Sequence, residues 1–310
     1  MADNGTRIFA GRLKDGKALI TSSSGGAFTA LSDSVLERGG AVVCSVYDRD
    51  SASLSFKLIE TKPERDKAKG SKYFQSDPGN IFREAKKWLS DNPDKELLFI
   101  GMGCQADGFR RFAEVSGIRD RVLIADIICT GVPSPKLWKE YAATLGKITF
   151  LTFKDKRSGW KKPTPIAIVN GKEVSVRPFV KLFYSHTALR PSCYKCNYAK
   201  IQRKSDITIG DFWHIEDKHP DFYSDCGNSL FLIHTEKGME LFNRASSAMD
   251  IMESTEKNCW QNMLERPTPK PGSRDDFWAA YRAHGITGAI EFANKVPAKA
   301  KVKKLIKKFI

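Results

Sequence analysis

The chain has 310 residues, of which 41% are hydrophobic and 28% charged, a composition that suits one large or two modest globular domains. No run of about 18 uncharged apolar residues occurs, which excludes a membrane-spanning helix. The formal net charge of +15 calls for an acidic partner: nucleic acid, an anionic membrane surface or an acidic redox protein.

Met1 to Arg7 lack the basic stretch, apolar stretch and cleavage pattern of a secretory signal, so a cytoplasmic protein is expected. Ser22-Ser23-Ser24-Gly25-Gly26 then precedes a predicted helix with Phe28, Leu31, Val35 and Leu36 on one face, stopped by Gly39-Gly40. Such a start points backbone N–H groups and the positive dipole end at one spot, where a phosphate can sit. It matches no dinucleotide fingerprint, and an ordinary capped helix start explains it at least as well. Ala41 to Tyr47 reads as a buried strand with Cys44 in the core. In Lys67-Ala68-Lys69-Gly70-Ser71-Lys72-Tyr73 a glycine among lysines precedes an aromatic. That is either a clamp for a phosphate or planar ring, or a solvated basic loop.

Asp77-Pro78 is a good opening for a helix carrying Ile81, Phe82, Ala85, Trp88 and Leu89. Leu97–Ile100 reads as a strand, Gln105–Val115 as a helix and Val122–Ile128 as a strand, and Ser134-Pro135 caps a helix ending near Gly146. Repeated βα units predict an α/β fold, a mostly parallel or mixed sheet with flanking helices, over residues 1–150. Residues 151–250 form a smaller α+β portion. Ile166–Val169 and Glu173–Val176 flank Asn170-Gly171, a strong hairpin signal. Ile207–Ile209 and Leu230–Ile233 are short strands, and Lys237–Met249 is a helix. Residues 251–294 look helical and irregular.

The tail, Lys295–Ile310, holds seven lysines and no acid. Val302, Leu305, Ile306, Phe309 and Ile310 share one helical face. This basic amphipathic helix is either a peripheral anchor on the inner face of an anionic membrane or a helix packed on its own domain with solvated lysines.

Seven cysteines are too few and too odd in number for a disulfide framework. Cys104 and Cys129 each fall just past the end of a predicted parallel strand, on the rim where open α/β sheets bind ligands. Cys193 and Cys196 form a CxxC. Four thiolates from three loops suit an iron–sulfur cluster or a structural zinc. Cys104 and Cys129 as buried small hydrophobes, and the CxxC as a redox pair or zinc half-site, are the competing explanations. Cys226 and Cys259 have no evident partner. Ser205 to Trp213 reads as a strand ending in Gly-Asp and two aromatics, which sets the Asp211 carboxylate at a sheet rim. His214 follows as a proton donor or a structural residue. Lys72, Asp211 and His214 are the catalytic candidates.

Together these blocks resemble the coenzyme F420 hydrogenase/dehydrogenase beta-subunit family of flavin and iron–sulfur oxidoreductases. The likeness runs from Ser22–Gly26 to about Leu241. It takes in Gly70-Ser71-Lys72-Tyr73 with Gln75-Ser76, Gly103-Cys104-Gln105 and Cys129 with Gly131-Val132-Pro133-Ser134-Pro135. It continues through Lys156 to Gly159-Trp160, Arg190 to Cys196 and Ser205 to Trp213. The resemblance implies FAD held by Ser22, Ser23, Ser24, Gly25, Gly26, Gly70, Ser71, Lys72 and Tyr73. It also implies one [4Fe-4S] cluster on Cys104, Cys129, Cys193 and Cys196. Electrons would pass through both cofactors to a small organic substrate.

Two departures stand out. No cysteine precedes Cys44, where many relatives carry a ferredoxin-like segment, so a separate donor is implied: an acidic protein such as ferredoxin, or a deazaflavin. Met102-Gly103 and Thr130 stand where relatives commonly have Thr-Pro and His, which puts deazaflavin chemistry in question. Short bacterial members are associated with surface-polysaccharide synthesis, a setting the Lys295–Ile310 tail would fit. Nucleic acid is not an expected partner on this reading. The alternatives are a zinc-stapled basic protein that binds nucleic acid or membrane, and a non-catalytic relative serving as a glycan-assembly scaffold.

Overall fold

In the computed structural model, which describes residues 5–295, apolar and β-branched runs form eleven strands. They are β1 (Arg7–Leu13), β2 (Ala41–Asp48), β3 (Ser53–Ile59), β4 (Leu97–Met102), β5 (Val122–Ile127), β6 (Ile148–Asp155), β7 (Thr164–Val169), β8 (Lys172–Ser175), β9 (Ile207–Asp211), β10 (Ser229–Ile233) and β11 (Met249–Ser254). The helices are α1 (Gly16–Thr21), α2 (Ala27–Leu36), α3 (Lys62–Lys67), α4 (Ile81–Asp91), α5 (Gly103–Val115), α6 (Pro135–Leu145), α7 (Arg177–Tyr184), α8 (Ile215–Lys218), α9 (Glu236–Ser246) and α10 (Arg274–Asn294).

Eight strands make one mixed sheet in the order β11-β1-β10-β9-β5-β4-β2-β3. Its centre is parallel, β2 beside β4, β4 beside β5 and β5 beside β9, and its other pairings are antiparallel. Alternate residues of each central strand point to opposite faces. Val42, Leu98, Leu123 and Ala125 pack with α2 and α9, while Val43, Phe99, Val122 and Ile124 pack with α4 and α5. Both faces are therefore covered, which accounts for the near-continuous apolar runs in β2, β4 and β5. The α/β class and mixed sheet expected from the sequence are present, though the parallel part is confined to four strands.

A second, three-stranded antiparallel sheet, β6-β7-β8, packs with α6, α7 and α10 around Trp138, Phe153, Phe179 and Phe277. Its β7–β8 turn is the predicted one, with Asn170 at φ 49° and Gly171 at φ 75°, the left-handed pair a two-residue hairpin needs. The large sheet draws strands from both sides of residue 150, because β9, β10 and β11 return to it.

Some expectations change. The helix read as Lys237–Met249 stops at Ser246, and Met249 instead opens β11, paired to β1. Strand pairing over six residues overrides the helical pattern there. β1 and β6 carry no clear sequence signal, whereas β3 does, with Leu54, Phe56 and Leu58 alternating with Ser53, Ser55 and Lys57. The region read as helical and irregular contains β11 and the long α10, bent at His284 and Gly285. The amphipathic tail lies outside the described residues beyond Lys295. No helix among the described residues is long and apolar enough to cross a membrane.

Candidate functional site

The carboxyl ends of β4, β5 and β9 lie side by side, with Met102 paired to Ile127 and Ile127 to Ile209. Everything just beyond those three ends shares one rim. Cys104 sits in the first turn of α5, where the helix dipole favours a thiolate. Cys129 is two residues past β5. The CxxC reaches the same place because the backbone folds back. Pro133 bridges to Leu189, the Arg190 N–H donates to the Val132 carbonyl at 3.0 Å, and the Cys193 N–H donates to the Arg190 carbonyl at 2.9 Å. All four cysteines line one cavity of about 80 Å³, with Gln75, Arg190 and Tyr198 among its other walls.

Further contacts fix the walls. Thr268 Oγ1 donates to the Thr130 carbonyl at 2.6 Å. Arg274 donates to the Tyr194 hydroxyl at 2.8 Å and lies 5.2 Å from that ring, which ties the middle of the CxxC loop to α10. Tyr198 donates to Asp107 at 2.9 Å. Arg203 pairs with Asp126 at 3.1 Å, both side chains being 2% exposed. Burial pushes the Asp126 carboxyl up despite that guanidinium.

The donor set fits an iron–sulfur cluster. The Gly131 N–H donates to Cys129 Sγ at 3.3 Å, and a β-carbon on Gly131 would stand 3.0 Å from Cys193 Cβ. Only glycine makes that cradle. Among the described residues, the one group of three ligating side chains drawn within 4.8 Å of one another is the surface trio His214, Glu216 and Asp217. No three of the cysteine sulfurs therefore lie mutually within 4.8 Å, whereas a tetrahedral zinc with bonds of about 2.3 Å holds its sulfurs roughly 3.8 Å apart. Burial raises the Cys129 thiol to about 12, partly offset by the Gly131 N–H and reinforced by the other three sulfurs. Burial and the CxxC sulfurs raise Cys104 as well. Thiolates gathered this way need a cation to hold them ionised.

The segments read as flavin-binding come together across 48 residues, where the Ser23 and Ser71 hydroxyls stand 3.3 Å apart. The Ser22–Gly26 turn is tightly built. Ser24, at φ 52°, donates from its hydroxyl to the Asn228 carbonyl at 2.6 Å, and Ser22 Oγ lies 2.7 Å from Thr29 Oγ1. The Ser229 hydroxyl accepts from Gly25 and Ala27 N–H at 2.9 and 3.2 Å, so two amides of the helix start are already engaged. Ser23 and Ser71 are partly exposed, and Gly70, at φ 90°, has open space where a β-carbon would project. Tyr73 is buried, stacked on Phe183 at 4.3 Å, with its hydroxyl 3.1 Å from that of Tyr184. Lys72 donates to the Ala68 and Lys69 carbonyls, and burial lowers it to about 8.

Asp211 ends β9 on the same rim. Its carboxylate accepts from Lys154 at 2.5 Å and from Trp160 Nε1 at 2.9 Å. Burial alone would raise it, but the Lys154 ammonium and these donors win and hold it below the usual carboxylate range. Trp160 stacks on Trp213 at 5.1 Å, and Lys154 lies 5.3 Å over the Trp213 ring. His214 does not join this group: at φ 64° it turns outward, 70% exposed, 3.9 Å from Asp217.

Two lysines carried no individual signal in the sequence. Lys154 links the three-stranded sheet to Asp211. Lys156 is 6% exposed and donates to the Leu19, Ser24 and Cys226 carbonyls, clamping the serine–glycine turn from behind. Burial lowers Lys156 to about 8. A buried lysine satisfied only by carbonyls is not marked by spacing or residue type.

The two candidate centres are joined by one short segment. Ser71 faces Ser23, while Gln75, four residues on, lines the cysteine cavity. Their Cα atoms are at most about 14 Å apart, the reach of four extended residues.

The family described as coenzyme F420 hydrogenase/dehydrogenase, beta subunit, matches the chain in two parts. Its amino-terminal portion matches residues 8–80 and its carboxy-terminal portion matches residues 94–258. No curated protein matches the chain. Among solved structures, a chain in a xenon-derivatization study of the F420-reducing [NiFe] hydrogenase complex from Methanosarcina barkeri is similar at 16% identity and a TM-score of 0.55. The match covers 93% of this chain and 91% of that one. At this identity the likeness concerns the fold.

Proposed function

Because this chain belongs to the coenzyme F420 hydrogenase/dehydrogenase beta-subunit family of oxidoreductases, we propose that it carries single electrons from a separate donor to a small organic substrate. The cofactors are FAD and one [4Fe-4S] cluster, the kinds the family typically holds. When bound, they supply the one- and two-electron chemistry that side chains lack.

The chain's own residues bind and position. Cys104, Cys129, Cys193 and Cys196 are the cluster ligands, with the Gly131 N–H supporting one sulfur. Ser22–Gly26 and Gly70–Tyr73 hold the flavin across the Ser23–Ser71 contact, and Lys156 keeps the turn in shape. Asp211 and Lys154 form a fixed charge pair at the rim, available to orient a polar substrate group. His214 faces solvent and is left out of the proton path. The observation that carries this reading is the Ser71–Gln75 segment, which sets the flavin residues and the thiol cavity side by side.

The test is anaerobic purification with iron, zinc and flavin quantified on one sample. About four irons and one flavin per chain are expected, with iron lost and the fold kept in Cys193→Ala. Zinc in place of iron, or neither flavin nor metal, overturns it.

A further inference from the structure

The exposed charge on the segments that line the cysteine cavity is mostly positive. Arg190, Lys195, Lys200 and Lys204 are exposed on the segment that carries Cys193 and Cys196, and no acid occurs between residues 190 and 204. Arg266 and Lys270 are exposed on either side of Pro267 and Thr268, which also line the cavity. Among the described residues none of the six forms an ion pair. Nearby carboxylates are engaged elsewhere: Asp126 with Arg203, Asp107 with Arg110 and Arg111, and Glu216 with Lys161. The exposed acids on these segments are Glu265, which accepts from the Trp260 indole at 3.1 Å, and Asp275 and Asp276 in the first turn of α10.

We propose that this basic rim is the docking surface for an acidic electron-carrier protein, an inference that rests on reading the cavity as the cluster site. Six unpaired cations on the two segments that line one opening make a field that steers an acidic protein toward that opening. Such steering is effective at low salt and fades as the Debye length shortens. Unpaired rim charges serve brief encounters better than lasting ones, since exposed pairs add little to affinity individually. That suits a carrier that must leave after each visit. In each encounter the reduced carrier would give up one electron to the cluster that Cys104, Cys129, Cys193 and Cys196 would hold, and no atoms would move. A membrane or a nucleic acid would also be drawn to positive charge, but neither needs it grouped around an opening lined by thiols.

The test measures binding of an acidic two-cluster bacterial ferredoxin to the full, cofactor-loaded chain at low and high salt. Lys195→Glu/Lys200→Glu is expected to weaken binding by about 10-fold or more at low salt, with the gap closing at high salt. Arg266→Ala/Lys270→Ala, on a separate segment, should weaken it in the same salt-dependent way. Lys147→Glu/Lys172→Glu makes the same charge change at the three-stranded sheet, just before β6 and at the start of β8, and neither residue lines the cavity. It should shift binding by less than about 2-fold. Equal weakening by all three pairs, or none by the rim pairs, overturns the proposal. So does a chain that ignores ferredoxin while its rim binds phosphatidylserine vesicles or duplex DNA. Iron measured on the same samples separates the failures: without iron the reading of the cavity falls, and with iron but a silent rim only the docking surface does.

Discussion

The Gly131 amide donates to the Cys129 sulfur across 3.3 Å, and the α-carbon of the same glycine lies against Cys193. One backbone position thus sets the distance between thiols 64 residues apart in the chain. Gly131 holds φ at 121°, where side chains are strained, and a β-carbon there would meet Leu189 Cδ1 at 2.8 Å. Gly131→Val should cut the iron retained after anaerobic reconstitution by more than half while far-ultraviolet circular dichroism stays unchanged. Full iron content in that variant would show that the cradle is not needed.

Lys154 and Asp211 test how the two sheets are joined. Removing one member of a buried pair strands the other charge, at a cost of about 3–5 kcal/mol. Asp211→Asn should therefore lower the midpoint of urea unfolding sharply. Adding Lys154→Met should recover much of the loss, because the stranded ammonium goes too. A double variant no more stable than Asp211→Asn alone would mean the pair is not coupled.

Lys156 combines a contact effect with a pH effect. Lys156→Met leaves three carbonyls without their donor, each worth about 1 kcal/mol or more when buried, and loosens the serine–glycine turn. Lower stability and weaker flavin retention should appear together. Because burial holds the amine near 8 in the folded chain against 10.5 in the open chain, the unfolded state binds more protons between those values. Wild-type stability should gain on the variant as pH rises through that window. Parallel pH curves would contradict this.

His234 gives the acid-side counterpart. It is held between Thr208 Oγ1 at 2.8 Å and Thr6 Oγ1 at 3.2 Å, and burial lowers it from 6.5 to about 4. As pH falls between those values the unfolded chain takes up a proton that the folded chain refuses, so stability is lost through that window. The gap corresponds to about 3 kcal/mol at most. His234→Gln should flatten this part of the stability profile in urea titrations at pH 7, 5.5 and 4. An unchanged slope would assign the acid sensitivity to other groups.

Much of the rim was legible in the sequence for a simple reason. β4 and β5 are short apolar runs each followed by a cysteine, and parallel neighbours put their carboxyl ends on one edge. The Asn170-Gly171 turn was equally plain, because few residue pairs accept two left-handed positions. β1 was not legible, because Arg7–Leu13 has no alternation that names its partners, which begin 216 residues past its end. His214 misled by its position: one left-handed residue after Trp213 sends it to solvent while Asp211 stays inside. The arrival of the CxxC at the other two cysteines depends on the bridge between Pro133 and Leu189, a pairing that spacing does not encode.

β1 lies between β10 and β11, and the Ser22–Gly26 turn that follows it is pinned by Asn228 and Ser229. The amino-terminal strand therefore has no neighbour to pair with in this sheet until the ribosome has made the chain as far as Ile233, and not both until Ser254. During synthesis β1 must wait, with Ile8, Phe9 and Ala10 uncovered, while the β2–β5 portion, with α2 against it, is already able to close on itself. Chains dominated by such distant pairings fold slowly and expose sticky strands as they do. The serine–glycine turn is thus among the last parts to set, and a cofactor seated there enters a nearly finished protein rather than guiding its assembly.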